Sequence, residues 1–352
     1  MDQGYINARV RGMYRTLLGP DALRNLILVP DLDAMISELQ KTPYREELET
    51  SCVRRSSVVC IEDALRRHLA RVYSKILAMF DDQRESREAR YVRIFLNRWD
   101  VHNLKTILRG KSIRSSPEEI REALVPAGTL DEATLVELLK QNDVRQVIDL
   151  LATWNIDYAK ALTPNIDEWS RSGQLLVLEH ALDRYYFQYA RDAVRGRQPE
   201  AFALQELVGT EIDVTNLKTV ITFIRDGIDL EDGERFLLEG GGELTTEVLS
   251  GMVSDGNLGK AGERLEGTRF ISLRPLLTEA QNSGRFSPVM KELDWHLIRA
   301  GASLFRRDPL SITVVIGFLY RFLIEVTNIR IIARCRDAGL SDEELEAELI
   351  HV

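Results

Sequence analysis

The sequence predicts an all-α protein made of three similar helical domains. Three observations point there. Apolar residues recur with the helical period along most of the 352 residues. β-Branched runs are scarce: Ser56–Ile61 is short and isolated and is assigned to helix or loop. One eight-residue pattern occurs three times at nearly equal spacing.

Taken in order, Cys60–Phe80 reads as an amphipathic helix carrying Leu65, Leu69, Val72, Ile76 and Leu77 on its apolar positions. Ile94–Arg109 continues the pattern. Thr129 precedes Asp131–Asn142, which has the form of a capped helix start, and Gln174–Val194 is another strong helix. Asp308 followed by Pro309 suits a helix beginning, since proline at the first position gives up only an N–H that lacks a partner there. That helix is expected to run to about Ala338 and to end at Gly339. Turn chemistry concentrates at Arg195–Pro199, Glu239–Glu243 and Gly251–Gly262, the expected loops and boundaries. Gly240-Gly241-Gly242 lacks both glycine-rich phosphate signatures and a preceding strand, so it is not read as a phosphate cradle.

The repeated pattern is acid-Val-x-Asn-aliphatic-base-x-aliphatic. It runs Asp100-Val101-His102-Asn103-Leu104-Lys105-Thr106-Ile107, then Asp213-Val214-Thr215-Asn216-Leu217-Lys218-Thr219-Val220, then Glu325-Val326-Thr327-Asn328-Ile329-Arg330-Ile331-Ile332. The asparagines lie 113 and 112 residues apart. Thirteen residues on, Ser116-Pro117-Glu118-Glu119 and Ser341-Asp342-Glu343-Glu344 each open a short helix with a capping box. Twenty-two residues past each asparagine sit Val125, Leu238 and Ile350, each preceded by leucine. Copies one and two then reach Gly128-Thr129-Leu130 and Gly242-Glu243-Leu244. A period this long is a small domain rather than a solenoid unit. It divides the chain at 1–125, 126–240 and 241–352, the first with the N-terminal segment, with neighbouring copies free to interleave helices.

On a helix, Val92, Phe95, Leu96, Trp99, Asn103 and Ile107 share one face, so Asn103 sits on the apolar stripe. A buried amide without partners costs about 1–3 kcal/mol, so its recurrence predicts a repeated bond to loop or helix-end backbone. The acid one turn earlier (Asp100, Asp213, Glu325) is expected to orient it. The base (Lys105, Lys218, Arg330) projects off the stripe, toward solvent or a partner surface. One carboxylate per copy, without a histidine or second acid, makes no acid–base pair.

The charge of −9 disfavours nucleic acid. Arg84, Arg87, Arg90 and Arg93, interleaved with Glu85 and Glu88, read as a solvated helix face, with an acidic-partner dock as the alternative. Cys52, Cys60 and Cys335 are odd in number, lack zinc-ligand spacing and are expected as core or surface thiols in a reducing compartment. Met1–Arg11 has no secretory pattern. Ile312–Ile324 falls short of the roughly 20 residues a membrane span needs and contains Arg321, so it is expected as a buried helix of a soluble chain. His68, His102, His180 and His296 are scattered. No nucleophile-elbow, zincin, Walker or C-x-x-C pattern is present, so no catalytic, cofactor or metal residue is assigned.

The repeat and its neighbours resemble the C-subunit family of the archaeal and bacterial V-type (A-type) ATPase, a family similar to the d-type component of the eukaryotic vacuolar ATPase. The resemblance rests on Tyr5-Ile6-Asn7-Ala8-Arg9-Val10-Arg11, on Asp100–Lys111, on Asp213–Lys218 with Phe236–Leu244, and on Glu325–Gly339. Nothing in Gly251–Pro288 carries it. It implies a funnel with pseudo-threefold symmetry on the cytoplasmic side of the membrane rotor ring. It also implies a non-catalytic socket for the D and F subunits of the rotor shaft, passing torque to the proteolipid ring, one copy per complex. The acidic stretches at Asp342–Glu348 and Glu118–Glu122 are expected on the rim of that funnel or simply in solvent. The competing readings are a generic tandem-domain scaffold or adaptor, and an enzyme whose pocket the sequence does not reveal.

Overall fold

The structure is a computed structural model that describes residues 3–53, 57–83, 86–228 and 233–351. Ser56 of the β-branched run and Arg84 and Glu85 of the charge run lie outside the described residues. The described residues form helices and turns, with no strand among them. They group into two compact units, Met1–Tyr189 with Phe305–Val352, and Ala190–Leu304.

Each copy of the pattern sits on a long helix: Arg87–Ser112, Pro199–Asp226 and Thr313–Asp337. The first and third belong to the first unit, the second to the other. These helices are core helices. Thr313–Asp337 buries Val314, Val315, Ile316, Phe318, Leu319 and Phe322 on more than one side. A fully buried side chain of this size contributes about 1.5–3 kcal/mol. Among the described residues no helix is long and apolar enough to cross a membrane.

A common order follows each long helix. The first leads to Pro117–Glu122, capped reciprocally by Ser116 and Glu119. Then come Glu132–Leu139 and Val144–Thr153, capped by Asp131 and Asp143. A short turn of helix at Ala159–Leu162 precedes the return helix Leu176–Ala193. After the second long helix the matching elements are Thr246–Asp255 and Leu258–Glu263, capped by Thr245 and Asn257, then Arg274–Ser283 and Ser287–Ser303. The third long helix leads to Asp342–Ala347, capped by Ser341 and Glu344. Its remaining elements come from the other end of the sequence: Pro20–Leu28, Leu32–Leu39 capped by Asp31, Arg45–Ser51 and Val58–Ala78. The helix Gln3–Tyr14 packs on Thr313–Asp337 and fastens this closure through Asn7, whose Nδ2 donates to the carbonyls of Pro309 at 3.3 Å and Ser311 at 3.0 Å.

Several expectations change. Pro309 does not open the last long helix. Asp308 accepts from Leu310 N at 3.0 Å and holds a turn, and the helix begins at Thr313. Thr129 is not a cap, because its hydroxyl and N–H are committed to Asp100, and Asp131 caps instead. Gly251–Gly262 is mostly helical, with the turn confined to Gly256 at φ 58°. Cys52 and Cys60 are a disulfide rather than two thiols. The packed helices Arg45–Ser51 and Val58–Ala78 bring their Cα atoms to 5.2 Å, a proximity that an eight-residue separation does not announce. The cysteine count therefore says nothing about compartment.

Candidate functional site: a buried clamp repeated three times

In every copy the asparagine side chain holds the backbone of one residue, 22 positions downstream, by two bonds. Asn103 Nδ2 donates to Val125 O at 2.7 Å, and Val125 N–H donates to Asn103 Oδ1 at 2.8 Å. Asn216 does the same with Leu238 at 2.8 Å each way. Asn328 does so with Ile350 at 3.0 and 2.9 Å. All three asparagines are at most 2% exposed. The amide suits the task because it offers a donor and an acceptor side by side, matching the C=O and N–H of one extended residue. Each clamp pins a non-helical segment to the long helix and satisfies groups that burial makes costly.

The acid one turn earlier does not orient the asparagine. It receives the next loop. Asp100 accepts from Thr129 N at 2.9 Å, Thr129 Oγ1 at 2.5 Å, Leu130 N at 3.0 Å and Tyr158 OH at 3.2 Å. Asp213 accepts from Gly242 N, Glu243 N and Leu244 N at 3.0, 2.8 and 3.3 Å. The N–H groups of Gly242, Glu243 and Leu244 thus cradle an anion that is the protein's own carboxylate. Glycine is required beside it: a Cβ on Gly241 would stand 2.0 Å from Asp213 Oδ1, and one on Gly128 2.0 Å from Asp100 Oδ1.

Glu325 in the third copy takes its donors from the N-terminal elements: Leu18 N–H and Tyr44 OH, the latter at 2.7 Å. Tyr44 and Tyr158 each stand just before a short helix, as does Phe270 in the second copy. Phe270 has no hydroxyl, and there a third backbone N–H does the work. Burial pushes all three carboxyls up, opposed by these donors. Glu325, with the fewest donors, is raised to about 7. Its partner Tyr44 packs against His68 in a tilted pair with ring centroids 4.2 Å apart, and His68 Nδ1 lies 3.1 Å from Glu47, which also pairs with Arg71 at 2.5 Å. His68 is therefore part of a buried polar cluster rather than an isolated histidine, and burial lowers its pKa.

Each lysine pairs with the return helix that follows its long helix. Lys105 Nζ lies 2.5 Å from both carboxylate oxygens of Asp183, and Lys218 Nζ lies 2.5 Å from Asp294. Arg330 is half-buried. Burial lowers its pKa, the nearby Glu62 raises it and Arg334 lowers it, while Arg334 itself bonds Glu62. Sequence reasoning missed Leu18, Tyr44, Tyr158, Asp183 and Asp294. The tyrosines carried a faint signal, each lying 26 to 28 residues after the aliphatic residue whose N–H meets the same acid.

This arrangement brings together anchors, not reacting groups, because every acid of the pattern is consumed by donors of its own fold. The family profile described as ATP synthase (C/AC39) subunit matches residues 6–348. The chain is 30% identical to the C subunit of the A-type ATP synthase of Haloferax volcanii over 348 residues, 98% of this chain and 97% of that protein. It is 27% identical to the C subunit of the A-type ATP synthase of Methanocaldococcus jannaschii over 347 residues, 98% of this chain and 86% of that protein. With the clamp-bearing helices and nearly all that they hold inside the matched span, the chain belongs to the ATP synthase (C/AC39) subunit family.

Proposed function

We propose that this chain is a non-catalytic central-stalk subunit of a rotary A/V-type ATPase, a socket joining the D and F subunits of the shaft to the membrane proteolipid ring on its cytoplasmic face. Its three copies, divided at 1–125, 126–240 and 241–352, would surround the shaft as equivalent walls of a funnel. The single observation that carries the reading is the clamp: three long helices, each fixing its own downstream loop through a buried asparagine and a buried acid. A torque coupler needs walls that do not yield under load. A side chain satisfied at both ends in a low-dielectric interior gives such stiffness, because moving it strands several polar groups at once. Asp100, Asn103, Asp213, Asn216, Glu325 and Asn328 are the residues of that framework. Lys105 and Lys218 brace it to the return helices, and Arg330 holds the corresponding place in the third copy.

The test is co-purification of the tagged chain from membranes in mild detergent, with identification of its companions. Recovery of shaft subunits and proteolipid is expected. Recovery of the chain without any other ATPase subunit would refute the proposal.

A further inference from the structure

Where the third copy is completed by N-terminal elements, a cleft of about 690 Å³ opens, a size typical of small-ligand sites. In the first two copies the clamped segment runs on within five or six residues to the loop that meets the acid. In the third, Ile350 and Leu18 come from opposite ends of the sequence, and both line the cleft. Four arginines line it too: Arg15, Arg24, Arg306 and Arg321. Two carboxyls, Glu325 and Glu346, share the lining, and Glu325 is already bonded to Tyr44 and Leu18. Arg321 is held with its guanidinium 5.7 Å from the Tyr14 ring and 5.6 Å from the Phe305 ring, and its buried Nε has no hydrogen-bond partner. Arg15, Arg24 and Arg306 are exposed and make no ion pair among the described residues.

We infer that this cleft binds a phosphate group, of a free phosphate compound or of a lipid headgroup. Four positive charges against Glu346 and a Glu325 that is about half ionised near pH 7 leave an excess of about two or slightly more in a chain whose total is −9. A phosphate monoester brings about −1.5 to −2 at pH 7 and three acceptor oxygens, which matches that excess. A single carboxylate would neutralise half of it. Arginine forks suit phosphate oxygens because each presents paired N–H donors in a plane. The cation–π contacts of Arg321 with Tyr14 and Phe305, whose own ring centroids are 4.4 Å apart, hold one fork beside the ring pair in advance and lower the ordering cost of binding. The site does not depend on the rotor reading, since it is built within one unit of this chain.

Isothermal titration calorimetry of the full chain with inorganic pyrophosphate at low salt is expected to show saturable binding. The triple variant R15Q/R24Q/R306Q changes only exposed side chains, and circular dichroism verifies its fold. It should weaken binding at least about tenfold, one decade in the dissociation constant. The control R145Q/R171Q/R197Q, equally reduced in charge but away from the cleft, should bind as the parent does. Co-sedimentation with vesicles containing phosphatidic acid, whose headgroup is a phosphate monoester, against phosphatidylcholine vesicles, tests the lipid source. Loss of either interaction in the cleft variant alone supports the site and names its source. Failure of both probes to bind, an equal loss in the control variant, or citrate binding as tightly as pyrophosphate would overturn it.

Discussion

Replacing Asn103 by alanine tests the clamp most directly. Asn103 is fully buried and makes two bonds to Val125, at 2.7 and 2.8 Å. Alanine leaves the Val125 N–H without its partner in an enclosed place, since Val125 is itself 8% exposed. The Val125 carbonyl fares better, because it keeps the Ala127 N–H at 2.8 Å. An unsatisfied buried donor costs about 1–3 kcal/mol and the second lost bond about 1 kcal/mol, so the total is roughly 2–4 kcal/mol. The assay is urea unfolding by circular dichroism, joined to hydrogen exchange at the Val125 amide, because a chain of two compact units need not unfold in one step. A loss in this range with faster exchange at Val125 is expected. Asn103→Asp keeps the acceptor but sets a carboxylate oxygen against the Val125 carbonyl. Burial favours the neutral acid, so that variant should lose further stability as pH rises above the ordinary carboxylate range. Asn216→Ala and Asn328→Ala should cost comparable amounts, their bonds being of 2.8 to 3.0 Å. If Asn103→Ala lay within about 0.5 kcal/mol of the parent, the range of an ordinary surface change, with Val125 exchange unaltered, the reasoning would be refuted.

Four further outcomes follow from the same geometry. Glu325 is held at about 7 in the folded chain, above its ordinary value of 4.5, so the folded state binds more protons between these values and stability falls as pH rises through the interval. The loss is at most about 3 kcal/mol, and E325Q should flatten that slope in urea melts at pH 5 and pH 8; an unchanged slope would show that another group titrates. Gly241→Ala should destabilise by about 1–3 kcal/mol, as overpacking does, whereas Gly12→Ala, in open space within a helix, should be neutral or stabilise by up to about 1 kcal/mol; equal effects in thermal melts would contradict the cradle. Lys105→Met strands the largely buried Asp183 and should cost about 2–4 kcal/mol, with much of it recovered by adding Asp183→Leu; a double-mutant cycle without coupling would disprove the pairing. Cys52→Ser opens a short loop and should cost no more than about 2–3 kcal/mol under oxidising conditions and nothing after reduction of the parent, and intact-mass analysis that finds two thiols in the untreated chain would remove the basis for the expectation.

Much of the fold was legible because its signals are local. Helical period, capping boxes at Ser116 and Ser341, and the glycine that ends the last long helix all act within one or two turns. The buried asparagine was legible for a different reason. An amide on an apolar stripe has to be satisfied, and the residues 22 positions on were already aligned. What the acids do was not legible, since their loop partners lie 29 to 31 residues away in two copies and at the other end of the sequence in the third. Backbone N–H groups leave no mark in sequence, so Asp213 and its glycine turn read as two unrelated features. The bases were misjudged for the same reason: Asp183 and Asp294 sit 78 and 76 residues past the lysines they meet. The disulfide escaped because only tertiary packing shows that Cys52 and Cys60 adjoin.

The third copy shows which parts of the clamp are indispensable. The asparagine bonds are kept without change of partner spacing in all three. The acid's environment varies instead, from two backbone donors and two hydroxyls, to three backbone donors, to one backbone donor and one tyrosine hydroxyl. A carboxylate accepts from any donor that arrives within reach, and glutamate extends that reach by one methylene, so the acid tolerates a change in where the loop comes from. An amide facing backbone has no such latitude, because both its donor and its acceptor must be matched in place. The same sequence end that supplies Leu18 and Tyr44 leaves Glu325 with fewer donors than Asp100, so less opposes the upward push of burial on its carboxyl, and it lines the adjoining arginine cleft.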